Sequence, residues 1–504
     1  MAQKSEREQR LTDSADDAPT PLSAMPQKAT LGTKLAYGFG SSAYGVKDAG
    51  LKFFLLLFYS QVVGVDPRLV SLAILIALMC DAISDPIVGY WSDNFRSRWG
   101  RRHPFMYAAA VPIAVSYYFI WTPPQGWSDA QLFWYILGLT ITIRTFITFY
   151  ETPSTALAPE LSGDYDERSS ILSFRYFFGW VGGNAMTVSA FLFIFPAFVT
   201  ASVENGQFNP EAYKTYGMIG AGVIFTAIMV SALGTHRFIP KLRAPPPKED
   251  TASKVGLVGI FRDIFQTISS RSFFAVFAAS LLAFVGSGIT ASLVFYFTTF
   301  FWEFSSQQVG LITFGVFFSA MIGSGLAPVI TRKLGKKRGA MIIGALAFGG
   351  APLPIVLRLF DLMPANGDPA LFWIVLMTQT LDVGLIICYQ ILGASMVADL
   401  VEQSEVRTGK RAEGVFFSAA TFMRKFGEGF GTVLAGFVLA GVGLAAGAQA
   451  GEVSPDTLWK LGAVYVPICW ALYGSVIAII SFYEIDRGKH EEAVRELAQR
   501  GSAR

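Results

Sequence analysis

Residues 272–302 read SFFAVFAASLLAFVGSGITASLVFYFTTFFW, with no Asp, Glu, Lys or Arg among them. A helix of about 20 such residues already crosses the hydrocarbon core of a bilayer, so this stretch reads as a membrane span. Residues 104–128, 176–203, 304–331 and 461–483 are equally free of charge. The whole chain agrees: 504 residues, 52% hydrophobic and 15% charged, with a mean hydropathy of +0.45. A water-soluble chain carries roughly a quarter of its residues as charges. Disorder, a collagen-like chain and a small disulfide scaffold are excluded, and a porin would show short alternating strands instead. The expected class is an all-α integral membrane protein.

The charge breaks divide the apolar sequence into twelve expected helices, near residues 33–64, 67–92, 103–122, 131–160, 169–201, 214–236, 272–302, 306–331, 339–359, 369–400, 411–443 and 456–483. Lys and Arg are retained on the cytoplasmic side of short loops. Arg96, Arg98, Arg101 and Arg102 follow span two, Arg237 to Lys254 follow span six, and Arg332 to Arg338 follow span eight, whereas the alternate loops are nearly bare of cations. Both termini are therefore expected inside a plasma (inner) membrane. The net charge of +3 is too small to imply a nucleic-acid partner. Residues 1–28 are polar and lack the apolar core of a signal peptide. Cys80, Cys388 and Cys469 fall within apolar stretches and read as core residues.

The longest polar connection, 237–271, contains Ala244-Pro245-Pro246-Pro247 and an amphipathic stretch at 255–268. It divides the chain into a tail (1–30), a six-helix bundle (31–236), the middle loop, a second bundle (272–484) and a second tail (485–504). A repeat supports the division. Asp85-Pro86-Ile87-Val88-Gly89 ahead of a basic loop ends span two, and Gly325-Leu326-Ala327-Pro328 ahead of another ends span eight. Two related bundles around a central cavity are the architecture of rocking transporters.

An ionisable side chain in mid-membrane is expensive and needs a partner or a wet path. Candidates are Lys47, Asp48, Lys52, Asp81, Asp85, Arg144, Glu151, Arg175, Asp382, Arg424, Lys425 and Glu428. Asp81 and Asp85 are one turn apart, on one helix face. Two carboxylates so close cannot both stay ionised without a cation. They would hold Na⁺ or share a proton, with the hydroxyls of Ser84 and Thr148 as further oxygen ligands, or they would pair with Lys425 or Arg144 and pin helices together. Arg144, Thr148 and Glu151 form one polar stripe facing the bundle interior. Glu151 can accept sugar hydroxyls and Arg175 can donate a planar fork. Asp48 and Lys52 read equally as an intrahelical ion pair or as ligand contacts, and Asp382 keeps company with Thr378 and Thr380. Trp121, Trp127 and Trp134 fit an interfacial belt. His103, His236 and His490 lie at span ends or in a tail, which leaves no buried imidazole for a proton relay.

Residues 33–40 (TKLAYGFG), 80–89 (CDAISDPIVG) and 98–102 (RWGRR) resemble the glycoside-pentoside-hexuronide:cation symporters of the major facilitator superfamily, which include the melibiose permeases. Glu151-Thr152-Pro153, Arg175-Tyr176-Phe177-Phe178, Met396-Val397-Ala398-Asp399 and Thr421 to Gly427 resemble them too. The resemblance implies a two-bundle, twelve-helix fold in which Asp81, Asp85 and Thr148 coordinate the coupling cation. It places Lys425 beside them as a mobile counter-charge, with Asp48, Glu151 and Arg175 toward the sugar. Ser84 stands where Na⁺-using melibiose permeases have Asn, Glu151 replaces Asp, and Lys52 and Arg144 are cations where those permeases are uncharged; a more cationic cavity suits an acidic glycoside.

The expected activity is secondary active symport of a sugar-like solute with Na⁺ or H⁺ by a monomer in membrane lipid, with no further cofactor. The alternative is cation-coupled movement of a lysophospholipid or other amphiphile. Asp93, Arg102, Glu160 and Arg175 are expected to help close the cytoplasmic side. An enzyme is not expected, because the spans contain no His/Cys grouping and no Ser/His arrangement.

Overall fold

A computed structural model of the chain describes residues 29–162, 165–201, 203–241, 271–408, 413–449 and 451–482. The expected terminal tails and the amphipathic stretch at 255–268 lie outside the described residues.

The described residues form twelve helical spans. Spans two, three, four and six are Pro67–Asn94, His103–Ile120, Asp129–Leu157 and Pro210–His236. Spans eight, ten, eleven and twelve are Ser306–Leu334, Pro369–Thr408, Glu413–Gly441 and Pro455–Ile480. Among the described residues, nine helical stretches are long and apolar enough to cross a membrane by length and composition. The first span is interrupted, the third has 18 residues that include His103, Pro104, Pro112 and three tyrosines, and the eleventh holds Arg424, Lys425 and Glu428.

Every even-numbered span before the eleventh, and the twelfth, starts at the face away from the basic loops with a side chain that satisfies a free backbone N–H. Asp66, Asn209 and Ser454 accept from the first turns of spans two, six and twelve. Ser128 with Gln131 and Ser305 with Gln308 form capping boxes, and Asp368 accepts from the N–H of Ala370. Such caps are each worth about 1 kcal/mol.

Four spans depart from a plain α-helix. Span one runs Leu31–Phe39, Ser42–Ala49, a π turn at Gly50–Phe54, Leu55–Leu57 and a second π turn at Phe58–Val63. Span five is Tyr165–Ser189 followed by π turn Ala190–Ile194 and Phe195–Ala197, and span seven is Arg271–Tyr296 followed by π turn Phe297–Phe301. Span nine was expected as one helix, and is two: Lys336–Gly350 and Leu353–Leu359. Pro352 and Pro354 lack the N–H groups that would continue the ladder.

Spans two, three, four and six pack on one another, as do spans seven, eight, ten, eleven and twelve, and spans one and five cross closely. That crossing depends on glycine. A Cβ on Gly45 would run into the carbonyl oxygen of Gly179, and one on Gly183 would come 2.6 Å from the carbonyl oxygen of Gly45.

The bundles meet tightly at the face away from the basic loops. Phe295 of span seven packs on Phe54 and Phe191 at ring-centroid distances of 5.0 and 4.7 Å. Around this apolar plug, Ser60 Oγ and Tyr296 OH lie 2.5 Å apart, Thr299 donates to Gln207 at 3.0 Å, Ser306 donates to Asn205 at 2.9 Å and the N–H of Gly447 donates to the carbonyl of Ser60 at 3.0 Å. Toward the basic loops the bundles part. Trp180 and Phe317 still touch edge to face at 5.0 Å. One turn nearer those loops on the same faces, Tyr176 and Met321 are 68% and 71% exposed.

Trp121 departs from the belt expectation. It is buried at 1% exposure and stacks on Tyr213, because the helix ends there and turns the indole back among Phe58, Tyr213 and Tyr216. Trp127 and Trp134 are exposed. His103 is also a correction: it is fully buried and its Nε2 lies 3.0 Å from Thr235 Oγ1, since the first turn of span three packs against the end of span six. It sits at the basic end, away from the central carboxylates. His490 lies outside the described residues. Cys388 and Cys469 are buried and Cys80 is half-buried.

Candidate functional site

The i, i+4 spacing on span two puts Asp81 and Asp85 on one face, and span four presents Arg144 and Thr148 to that face from one of its own turns. Thr148 Oγ1 lies 3.2 Å from Asp81 Oδ1 and 2.8 Å from Asp85 Oδ1. Arg144 Nη1 donates to Asp81 Oδ2 at 3.3 Å. From the other bundle, Lys425 Nζ reaches Asp81 Oδ2 at 2.8 Å and Asp85 Oδ2 at 2.5 Å. Two carboxylates thus face two cations, and the cluster is electrically balanced. Asp81 is buried at 4% exposure, while the side chain of Asp85 is 31% accessible. Asp85 is thus the more accessible of the two.

Ser84 is not brought into this cluster. Its hydroxyl donates to the carbonyl of Asp81 at 3.1 Å, the backbone acceptor that a helical serine finds three residues back.

Asp48 and Lys52 do not pair with each other. Asp48 Oδ1 lies 2.5 Å from Lys47 Nζ, and Lys52 Nζ lies 3.0 Å from Glu428 Oε1 of span eleven. The π turn at Gly50–Phe54 is the cause: a wider turn rotates residue 52 away from residue 48 and toward the facing bundle. Half of the Asp48 side chain is accessible although it sits inside a span. Tyr44 lies within electrostatic range of Asp48 and Glu151, and Arg424 within range of Asp48, Glu151 and Glu428. These residues form one mixed-charge group.

Arg175 is buried beside Tyr44. It is 4% exposed, donates to Ser154 Oγ at 3.1 Å and sits 5.5 Å from the centre of the Tyr44 ring. The phenols of Tyr37 and Tyr150 are close by. The close crossing at Gly45 and Gly179 brings Tyr44 and Arg175 together.

The expected closing residues are brought together in part. Glu160 Oε1 is held by Arg101 at 2.5 Å and by Arg102 at 3.0 Å, and Arg102 reaches Asp93 at 3.5 Å. This cluster ties the loop after span two to the end of span four, inside the first bundle. Arg175 takes no part in it. The desolvation of Arg102 lowers its pKa below the usual guanidinium value, and Glu160 opposes the shift.

Sequence reading gave no role to Tyr44, Ser154 or Glu428. Glu428 carried the signal of an intramembrane charge; the other two are an aromatic and a hydroxyl without distinguishing spacing.

Comparison with known proteins gives the family. A family model described as MFS/sugar transport protein matches residues 36–487. The uncharacterized symporter sll1374 of Synechocystis sp. is 27% identical over 93% of this chain and 96% of its own. The inner membrane symporter YicJ of Escherichia coli is 25% identical over 92% and 94%, and the isoprimeverose transporter of Lactiplantibacillus pentosus 23% over 90% and 88%. Among solved structures, the nucleoside transporter NupG matches with a TM-score of 0.61 over 89% of this chain and 99% of that one; at 14% identity it speaks for the fold alone. A two-bundle helical membrane protein with a charged cluster between its bundles, matched along almost its whole length, belongs to the MFS/sugar transport protein family, in its glycoside-pentoside-hexuronide:cation symporter branch, and is a transporter rather than an enzyme.

Proposed function

We propose that this protein moves a sugar-like solute, by preference an acidic one, together with a cation, Na⁺ or H⁺, by alternating access. The observation that carries the reading is Lys425, which crosses from the second bundle to bridge Asp81 and Asp85 of the first. A cation settling between those carboxylates takes the place of the ammonium and releases a tie between the bundles. Na⁺ would use the carboxylate oxygens and Thr148 as hard ligands; a proton would act by neutralising one carboxylate. Ion occupancy and bundle position are then linked, so each ligand tightens the other.

Relatives named as symporters and as an isoprimeverose transporter support the solute class. The acidic preference follows from charge. Lys47, Lys52, Arg144, Arg175, Arg424 and Lys425 outnumber Asp48, Asp81, Asp85, Glu151 and Glu428 by one. A bound cation widens that excess, and a solute carboxylate reduces it. Asp48 and Glu151 would accept sugar hydroxyls, with Tyr44 beside them and Arg175 positioning Tyr44. On the cation-rich-loop argument, the basic loops and both termini face the cytoplasm of an inner membrane, and the open side described above is the inward-facing one. The monomer holds all the groups this mechanism uses.

The test is uptake into proteoliposomes from a panel of neutral glycosides, uronides and lysolipids under imposed Na⁺ and pH gradients. The expected result is accumulation of a glycoside or uronide under one of the two gradients, lost in Asp81→Cys and Asp85→Cys. Accumulation by those variants at the unaltered level, or uptake of lysolipids alone, contradicts the proposal.

A further inference from the structure

Among the described residues, Asp382 is the one carboxylate or cationic side chain in the apolar middle of the second bundle that the cation and solute sites do not use. It lies in span ten, and its Oδ1 is buried without a hydrogen-bond partner among the described residues. Residues 272–302, 306–331, 339–357 and 461–482 of spans seven, eight, nine and twelve contain no Asp, Glu, Lys, Arg or His. Among the described residues, the phenol of Tyr473 lies near Asp382, and the phenol of Tyr389 and the thiol of Cys469 lie near Tyr473. Arg424, Lys425 and Glu428 of span eleven are directed instead toward Asp48, Asp81, Asp85 and Lys52. An ionised carboxylate left alone in such surroundings is costly, and binding a proton removes that cost.

A second, independent feature explains what the proton would do. Oδ1 of Asp382 lies against the break in span nine, 3.9 Å from where a Cβ on Gly350 would stand. At that break Pro352 and Pro354 supply no N–H to the carbonyls of Phe348 and Gly350, four residues back in each case. The carbonyl between them, of Gly349, already takes the indole N–H of Trp470 at 3.4 Å. The break therefore exposes acceptors that need donors, and a carboxylic acid supplies one donor where a carboxylate supplies none. Phe348 beside the break stacks on Tyr473 at 4.0 Å and meets Tyr389 edge to face at 4.9 Å, which holds the pocket in shape.

We propose that Asp382 and the broken ninth span form a second proton-binding site, in which the carboxylate binds H⁺ to become the neutral acid and donates its O–H to a carbonyl freed by Pro352 or Pro354. Losing the proton leaves a negative charge facing carbonyl oxygens. Protonation at Asp382 is thereby tied to the angle between Lys336–Gly350 and Leu353–Leu359, in a bundle that holds neither Asp81 nor Asp85.

The test is infrared titration of the full-length protein in lipid, with thermal melting of the same samples, for wild type, Asp382→Asn and Asp382→Leu. The expected result is a carboxylic-acid carbonyl band in wild type that disappears at alkaline pH and is absent from Asp382→Asn. Asn keeps an N–H donor in the same shape and should melt within about 2 °C of wild type, whereas Leu should melt several degrees lower. An unchanged acid band in Asp382→Asn, or equal destabilisation by Asn and Leu, overturns the proposal. No solute or gradient enters the measurement, so its failure is distinct from failure of the symport reading.

Discussion

Thr148 has one hydroxyl proton and three acceptors within reach: Asp81 Oδ1, Asp85 Oδ1 and, at 3.1 Å, the carbonyl of Arg144. It can serve one of them at a time. The other carboxylate oxygen is left facing a lone pair, an arrangement that a proton or a metal cation relieves. Lys425 meets the same need from outside the bundle. A competition between ammonium and cation follows, and Lys425→Gln should raise apparent cation affinity about tenfold, since roughly 1.4 kcal/mol of competing attraction is a modest share of a buried pair. A cation titration of the purified variant checks this; unchanged or weaker affinity would count against displacement. The same variant should lose coupled accumulation, because the tie between bundles is gone. At this scale the sequence was half legible. Asp81 and Asp85 announce themselves by helical spacing, and Thr148 follows from the stripe on span four. Lys425 lies 340 residues from Asp85 and Glu428 376 from Lys52, and the partnership of residues so far apart is a property of the fold.

The π turns and glycine crossings decide where those side chains point. Hydropathy marks span one as a single apolar block, since a π turn costs no apolar residue, and the block conceals the rotation that sends Lys52 to Glu428 instead of Asp48. The break in span nine was written in Pro352 and Pro354, yet length and hydropathy overrode it. Glycine carries the tightest packing. A Cβ on Gly45 or on Gly431 would meet a carbonyl oxygen of the facing span, Gly179 in one case and Val285 in the other. Gly45→Val should therefore destabilise the protein by about 1–3 kcal/mol and displace Tyr44 from Arg175. A lowered melting temperature in detergent, with weaker solute binding and unaltered cation binding, is the expected outcome. A variant that melts and binds like wild type would show that the crossing has room to spare.

Across the whole molecule, the bundles are joined at one face and parted at the other. The joined face is built from the Phe54, Phe191 and Phe295 plug and the Ser60–Tyr296, Gln207–Thr299 and Asn205–Ser306 contacts. Alternating access requires these to separate. Replacing Asn205 and Ser306 with Cys and oxidising the pair should abolish uptake and leave cation binding in place, with activity restored by a reductant. Uptake through an oxidised, fully cross-linked protein would exclude opening at that face. The twelve-helix architecture was legible from hydropathy because lipid demands it of every span; the resting conformation was not, because both states bury the same apolar sequence.

Displacement of Lys425 by a cation between Asp81 and Asp85 is the claim on which coupling rests. Calorimetric titration of the purified protein, with Na⁺ at constant pH and with acid in buffers of different ionisation heat, tests it most directly. The account predicts saturable binding of one of the two cations to the wild type and its loss in the Asp81→Cys, Asp85→Cys double variant. Binding of equal affinity in both proteins would contradict it.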